Sequence, residues 1–300
     1  MFFLGDSQNK SLSFTLAKGL GLECNFPDVH VFPDTEKRVR IMQEVIDQDV
    51  ILFKSLSSPV DGNVMELCML IDALKRNGAK EITGVIPYFP YQRADHIFRT
   101  GEAVPLEVVI KMVEGAGLAR IVVADPHSIK IPEMFIIPIT DVSAVPLFAE
   151  KIRELATDLR KVSVVSPDMG GIRRIKLLAE TLEDVGYAAV NKDRDLETGS
   201  VAATRHEGEI REVCFIVDDM ISTGHTVVES VDYLLENGAK QVFIMVTHPV
   251  FSEEASSILQ ASNAERVFVT DSIEVPNEKK FAKLEILFIA NLLVKAIKDQ

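Results

Sequence analysis

Apolar positions follow two different spacings along this 300-residue chain. Short runs rich in β-branched residues predict buried strands. These runs are Phe2–Leu4, Val50–Phe53, Ile82–Ile86, Arg120–Ala124, Val162–Ser166, Ala188–Asn191, Val213–Val217, Val242–Val246 and Val267–Thr270. Helical spacing between them predicts helices at Ser11–Leu20, Val64–Asn77 and Pro105–Ala116. Strands that alternate with helices favour an α/β fold with parallel sheets flanked by helices.

The chain also repeats itself. Asp72–Lys80 resembles Asp232–Lys240 at an offset of 160 residues, and each copy is a helix end stopped by Gly and followed by a strand. In a second repeat, Arg120–Asp125 resembles Arg266–Asp271. The repeats predict two similar α/β domains rather than a solenoid.

The segment Val213–Thr226 carries the most informative chemistry. Its apolar run ends in two adjacent carboxylates, Asp218 and Asp219, at the strand end where ligands bind in an open α/β sheet. Two such carboxylates can accept hydrogen bonds from the vicinal hydroxyls of a ribose. The loop that follows offers backbone N–H groups, hydroxyls and a helix N-terminus, which suit a phosphate.

This phosphate loop consists of Ser222, Thr223, Gly224, His225 and Thr226. The segment resembles the phosphoribosyl-binding signature of phosphoribosyltransferase-type folds, and the alternative is an ordinary strand–loop–helix junction with solvated acids. The offset of 160 places Ser58 and Pro59 opposite the acid pair. We therefore expect one phosphoribosyl group per chain, in the second domain.

Charge and composition narrow the class of protein. A net charge of −13 argues against binding to nucleic acid or to an anionic membrane surface. The chain is 47% hydrophobic, but no apolar run reaches membrane-spanning length, and the first residues do not resemble a signal peptide. The three cysteines, Cys24, Cys68 and Cys214, lack the spacing of metal ligands. We expect them to be buried thiols in a protein of a reducing compartment. We expect a cytoplasmic protein.

Five segments resemble, in order, those of one family. They are Phe32–Glu36, Pro87–Asp95, Asp125–Ser128, Ser166–Gly171 and Val217–Thr226. Lys192-Asp-Arg194, between the last two, resembles the opening of a mobile catalytic loop. By these segments the chain resembles the ribose-phosphate pyrophosphokinases over nearly its whole length.

The resemblance implies two similar phosphoribosyltransferase-type domains. The first would span 1–142 on the ATP side and be joined by a C-terminal helix at 281–300. The second would span 143–280 and bind ribose 5-phosphate. Glu285–Ile297 has the apolar stripe of such a helix.

The implied reaction transfers the diphosphoryl group of ATP to O1 of ribose 5-phosphate and releases AMP, with Mg²⁺ as cofactor. Such a transfer depends on alignment and charge neutralisation. The resemblance assigns ATP binding to Phe32, Asp34, Glu36, Arg93, Asp95 and His127, and catalysis to Lys192 and Arg194. It assigns the diphosphate loop to Asp168, Met169, Gly170 and Gly171, and the metal to Asp125, His127 and Asp168.

Several residues depart from the family pattern. Ala94 replaces a Gln, Pro126 an apolar residue, and His225 a loop Gly. Gly101–Ala103 and the Ser-Thr-Gly loop resemble an archaeal-type subgroup. The resemblance also implies a homo-oligomer of at least two chains.

Two alternative functions share these motifs. A phosphoribosyltransferase would have the same acid pair and loop but would need only one domain. A catalytically silent regulatory subunit of the same family would account for Ala94 and His225. Formation of AMP from ATP, Mg²⁺ and ribose 5-phosphate would distinguish all three.

Overall fold

The computed structural model describes residues 1–194 and 201–300, and the side chains of residues 1–191 and 205–300. The chain divides into two compact units. The first contains residues 1–142, 272–274 and 289–300. The second contains residues 143–271 and 275–288.

The first unit is built around a six-stranded sheet. Its strands are β1 (Phe2–Leu4), β2 (Cys24–Asn25), β5 (Asp49–Phe53), β6 (Glu81–Val85), β7 (Arg120–Ala124) and β8 (Ile139–Val142), and a separate hairpin contains β3 (Asp28–Val31) and β4 (Lys37–Arg40). Its helices are α1 (Lys10–Leu20), α2 (Val60–Arg76), α3 (Pro105–Ala116) and the C-terminal α8 (Ala290–Lys298). The sheet is parallel throughout, in the order β2-β1-β5-β6-β7-β8.

The second unit is built around a seven-stranded sheet. Its strands are β9 (Val162–Ser166), β10 (Gly186–Arg194), β11 (Val201–Gly208), β12 (Val213–Ile221), β13 (Gln241–Pro249), β14 (Val267–Thr270) and β15 (Leu284–Leu287). Its helices are α4 (Val145–Leu155), α5 (Ile172–Leu182), α6 (His225–Glu236) and α7 (Ala255–Ala261). The order is β11-β10-β9-β12-β13-β14-β15, and among the described residues only the β10–β11 pair is antiparallel.

The predicted α/β fold with parallel sheets is confirmed. The central strands are buried on both faces, because helices cover both sides of a parallel sheet. These strands could therefore be predicted from their apolar runs. The sequence did not predict β3 and β4, which are short, charged and largely exposed.

Strand pairing shows which residues of the two sheets correspond. In β5, Asp49 pairs with Glu81 of β6, and in β12, Val213 pairs with Gln241 of β13. Glu81 and Gln241 correspond at the repeat offset of 160, so their pairing partners Asp49 and Val213 correspond as well. Counting the same distance along each strand, Lys54 corresponds to Asp218 and Ser55 to Asp219. The prediction that Ser58 and Pro59 are the counterparts is wrong.

The error has a simple cause. The offset of 160 was taken from the C-terminal ends of α2 and α6. Because α2 has 17 residues and α6 has 12, the strands before these two helices do not correspond at that offset. The first unit nevertheless lacks the acid pair, as expected.

The C-terminal segment also differs from its prediction. A helix was expected over Glu285–Ile297, but residues Leu284–Leu287 form β15 and pair with β14 of the second unit. The helix begins at Ala290 and packs against α1 in the first unit. A short apolar run such as this one fits the spacing of a strand as well as that of a helix, which explains the wrong prediction.

All three cysteines are free thiols. Cys214 is buried within β12, and burial raises the pKa of its thiol to about 12. Cys24 and Cys68 are only half-buried, which corrects the expectation for those two.

Candidate phosphoribosyl and nucleotide sites

The acid pair lies inside β12 rather than after it. The strand continues to Ile221 because it pairs with β13 as far as Pro249. Asp219 donates its backbone N–H to Oδ1 of Asp218 at 2.9 Å. The side chain of Asp218 is 19% exposed and that of Asp219 only 5%. The two carboxylates therefore sit close together, with Asp218 the more accessible.

A cation from the neighbouring helix faces this pair. Nη1 of Arg174, on the first turn of α5, lies 3.4 Å from Oδ1 of Asp219 and 3.7 Å from Oδ1 of Asp218. The guanidinium is 13% exposed, so its charge is only weakly screened by water. Arg174 was not predicted as a site residue, although its position three residues after Gly171, at a helix start, was a usable signal.

The Asp218 carboxyl holds its proton more tightly than usual. Burial raises the pKa of Asp218 well above its ordinary value, and repulsion from Asp219 and Asp168 adds to this effect. Arg174 opposes the shift without cancelling it. Such a site favours a ligand that brings positive charge or hydroxyl donors.

The predicted phosphate loop follows directly. Gly224 has φ 87° at the N-cap of α6, and no described side chain caps this helix start. His225 is the first helical residue and is exposed, as is Thr226. Ser222 shares a hydrogen bond of 2.7 Å with Ser252, and Thr223 is half-buried. A helix N-terminus without a side-chain cap presents N–H groups and a positive dipole end to an anion.

The predicted diphosphate loop connects β9 to α5. Oδ1 of Asp168 accepts the backbone N–H groups of Gly170, at 2.8 Å, and Gly171, at 3.2 Å. A Cβ on Gly171 would lie 2.3 Å from Oγ of Ser166, so only glycine fits without a shift. Asp168, Met169 and Gly170 are exposed. The loop is folded around its own carboxylate.

In the first unit, the predicted ATP-binding segment Phe32–Glu36 forms the turn of the β3–β4 hairpin. Phe32 donates its N–H to the Glu36 carbonyl at 2.8 Å, and Oδ1 of Asp34 accepts the N–H of Glu36 at 3.2 Å. The Phe32 ring is 40% exposed and meets the His30 ring edge-on at 4.7 Å between centroids. An exposed aromatic ring beside two exposed carboxylates can stack on a base and accept hydrogen bonds from it.

Two further predicted segments of the first unit are joined by one amide. Oε1 of the buried Gln92 accepts the backbone N–H of His127 at 2.7 Å, and its Nε2 donates to the Phe89 carbonyl. The loop that carries Arg93 and Asp95 therefore lies beside the loop that carries Asp125 and His127. Arg93 and His127 are exposed, Asp95 bonds to His96, and Asp125 is buried with φ 35°. Gln92 lies within the segment Pro87–Asp95, but the sequence predicted no role for it.

The remaining predictions concern metal binding and catalysis. Among the described side chains, no three His, Cys, Asp or Glu gather in a group that could hold a metal ion. Mg²⁺ usually keeps several waters and takes the rest of its ligands from one or two carboxylates and a substrate phosphate. The side chains of Lys192 and Arg194 lie outside the described residues.

Comparison with known proteins identifies the family. The N-terminal domain of ribose phosphate pyrophosphokinase matches residues 1–117, and the phosphoribosyl synthetase-associated domain matches residues 207–299. A ribose-phosphate pyrophosphokinase of Fusobacterium nucleatum is 36% identical over 98% of this chain and 93% of its own. One of Streptococcus pyogenes is 34% identical over 97% and 91%. The chain belongs to the ribose-phosphate pyrophosphokinase family.

A solved structure supports both the family and the fold. The phosphoribosylpyrophosphate synthetase of Mycobacterium smegmatis superposes with a TM-score of 0.92 at 32% identity, over 99% of this chain and 97% of that one. The predicted family and the fold of two phosphoribosyltransferase-type domains are thus confirmed. No described helix is long and apolar enough to cross a membrane.

Proposed function

We propose that this chain is a ribose-phosphate diphosphokinase, which transfers the diphosphoryl group of ATP to O1 of ribose 5-phosphate and yields phosphoribosyl pyrophosphate and AMP for nucleotide biosynthesis. The observation that carries the proposal is the acid pair of β12 followed by the N-terminus of α6, in a chain that aligns nearly end to end with named members of the family.

The second unit would hold the acceptor. Asp218 and Asp219 would accept hydrogen bonds from the ribose hydroxyls or contact them through Mg²⁺. The loop from Ser222 to Thr226 would hold the 5-phosphate by its N–H groups and hydroxyls. Arg174 would have to release the acid pair partly when the sugar binds.

The first unit would supply the donor site. Phe32 would stack on adenine, while Asp34 and Glu36 would accept hydrogen bonds from its amino edge. Arg93 would meet the triphosphate, and His127 would orient a phosphate or a metal-bound water. Asp95 would also bind ATP, since it follows Arg93 on the loop that Gln92 joins to His127.

The transfer itself needs charge neutralisation. Asp168 to Gly171 would lie along the diphosphoryl group, since glycines allow the backbone to approach closely. Lys192 and Arg194 would stabilise the charge that develops on the transferred group.

The cofactor would be Mg²⁺. Asp125 and Asp168 offer hard carboxylate oxygens, which suit this ion, and His127 suits a metal-bound water better than direct ligation. Mg²⁺ would neutralise phosphate oxygens of ATP when bound.

Assembly, subgroup and location are finer proposals. We propose a homo-oligomer of at least two chains in the cytoplasm, and sedimentation of the purified protein tests the assembly. Gly101–Ala103 and the Ser-Thr-Gly loop predicted an archaeal-type subgroup, which the bacterial relatives reported above do not support.

Product analysis tests the proposed reaction. Purified protein with ATP, Mg²⁺ and ribose 5-phosphate should form AMP, and omission of the sugar should abolish it. ADP as the product would overturn the proposal. Diphosphate release from phosphoribosyl pyrophosphate and a base, without ATP, would indicate a phosphoribosyltransferase, and no turnover at all a silent subunit.

A further inference from the structure

Four charged side chains of alternating sign form a buried chain in the first unit. We call it the four-charge cluster, and its members are Asp6, Lys54, Glu66 and Lys37. Nζ of Lys54 lies 3.0 Å from Oδ1 of Asp6 and 2.9 Å from Oε1 of Glu66. Nζ of Lys37 lies 2.7 Å from Oε2 of Glu66 and donates to the Gly62 carbonyl at 3.0 Å.

The inner part of this cluster is almost inaccessible to water. The side chains of Asp6 and Lys54 are each 1% exposed and that of Glu66 is 7% exposed. Asp6 also accepts the backbone N–H groups of Ser55, at 2.9 Å, and Gln8, at 3.1 Å. Burial alone would raise the pKa of Glu66, but hydrogen bonds from Lys37 and Lys54 outweigh it and lower that pKa.

The cluster occupies a defined place in the fold. By strand pairing, Lys54 corresponds to Asp218 of the second unit, so an ammonium stands where the other sheet has a carboxylate. Asp6 follows β1, which is adjacent to β5, as β9 is adjacent to β12. In the first unit, the strand-end position of the sugar site is thus filled by the protein's own ions.

One end of the cluster reaches the β3–β4 hairpin. In β4, Lys37 and Val39 point inward and are followed by the buried Ile41, while Arg38 and Arg40 point to solvent. Val39 and Ile41 pack into the hydrophobic core beside α2. Lys37 is the inward position nearest the turn, so the hairpin is held there by a salt bridge rather than by an apolar contact.

We propose that the four-charge cluster is a positioning device, in which Lys37 fixes the hairpin turn that carries Phe32, Asp34 and Glu36 for nucleotide binding. This inference rests on the proposed function for the identity of the nucleotide, ATP. The position in the first unit that corresponds to the sugar site would then anchor the hairpin turn that binds ATP.

The geometry explains why a salt bridge holds the hairpin better than an apolar contact would. An apolar contact tolerates sliding, whereas the ammonium of Lys37 has two acceptors at fixed positions, on Glu66 and Gly62. Glu66 is in turn held by Lys54, and Lys54 by Asp6, so the anchor is continuous with the sheet. A displacement of about 1 Å in a positioning group can cost about 100-fold in rate.

Lys37→Met tests the anchor, because it removes the ammonium and leaves Glu66 paired with Lys54. Arg40→Met is the matched control, since it removes an outward charge from the same strand. Lys37→Arg should restore the salt bridge. Lys37→Gln, which keeps a donor but no charge, is a second variant should Lys37→Met not fold.

Two readouts are needed. Hydrogen exchange should accelerate about tenfold at the amides of β3 and β4 in Lys37→Met, and not in β1 or β5. Titration with Mg·ATP should give a Kd raised about tenfold, with KM for ribose 5-phosphate within about twofold of wild type. Lys37→Arg should recover most of both effects, and Arg40→Met should show neither.

Unchanged hairpin exchange in Lys37→Met, or equal effects in Arg40→Met, would overturn the anchor. Faster exchange with unchanged ATP affinity would overturn its role in nucleotide positioning. A wild-type protein that binds Mg·ATP but forms no AMP would overturn the proposed reaction, while the titration would still decide the positioning role.

Discussion

Lys54 in the first sheet stands at the strand position that Asp218 holds in the second sheet. The surrounding charges are inverted as well. Lys54 lies between Asp6 and Glu66, whereas Asp218 and Asp219 face Arg174. A buried ammonium cannot accept hydrogen bonds from sugar hydroxyls, since it has donors only. We therefore expect the two units to share an architecture but not a ligand.

This inversion predicts the stoichiometry of sugar binding. Calorimetry with ribose 5-phosphate and Mg²⁺ should give one site per chain. Asp218→Asn should weaken that site, while Lys54→Met should leave the number of sites at one. Two equivalent sites per chain would contradict the account.

Asp218→Asn should also stabilise the ligand-free protein. The pKa of Asp218 is higher in the folded chain than in the unfolded chain, so the folded state binds more protons above about pH 4. The free energy of unfolding of wild type then falls as pH rises through that window, up to the folded pKa. The amide carries no charge, so the variant avoids this loss and should be more stable than wild type near neutral pH.

Thermal unfolding at several pH values measures this effect. The difference between Asp218→Asn and wild type should grow from pH 4 upward, while activity of the variant falls by about 10²–10³. Glu253→Gln, which removes an exposed carboxylate from the same unit, is the matched control and should not reproduce the trend. A variant less stable than wild type at neutral pH would show that Asp218 is stabilised in its charged form.

The Ser166–Gly171 contact predicts a suppressor pair. Gly171→Ala should reduce both stability and activity, because its Cβ would lie 2.3 Å from Oγ of Ser166. Overpacking of this kind costs about 1–3 kcal/mol. The double variant with Ser166→Ala should recover stability, since Oγ of Ser166 is buried and makes no hydrogen bond with the described residues. Gly115→Ala, which meets nothing within 4 Å, should be neutral or slightly stabilising.

Lys192→Ala and Arg194→Ala should lower kcat much more than they raise KM. Contacts made chiefly in the transition state appear in kcat. Steady-state kinetics with each substrate varied in turn separates the effect on kcat from the effect on KM. A change confined to KM would mean that both residues act in ground-state binding.

The buried parts of the fold could be predicted from the sequence, and the exposed parts could not. Strands such as β5 and β12 have continuous apolar runs because a parallel sheet is covered on both faces. The β3–β4 hairpin is charged and exposed, so it carries no comparable pattern. The segment Leu284–Leu287 was predicted as helix because a short apolar run fits both spacings.

The candidate sites show a similar division. The acid pair and the loop after it were predicted because they are adjacent in sequence. Arg174 and Gln92 act across elements that are distant in sequence, and no local pattern gives those contacts. Lys54 was missed because the offset between the two copies differs for the strand and for the helix that follows it.

The fate of the β-phosphorus of ATP tests the central claim most directly. With [β-³²P]ATP, Mg²⁺ and ribose 5-phosphate, the label should appear in the sugar product, in a one-to-one ratio with unlabelled AMP. Asp218→Asn should lower the rates of both products together, by about 10²–10³. Label that remains in ADP while the γ-phosphoryl group alone moves to the sugar would contradict diphosphoryl transfer.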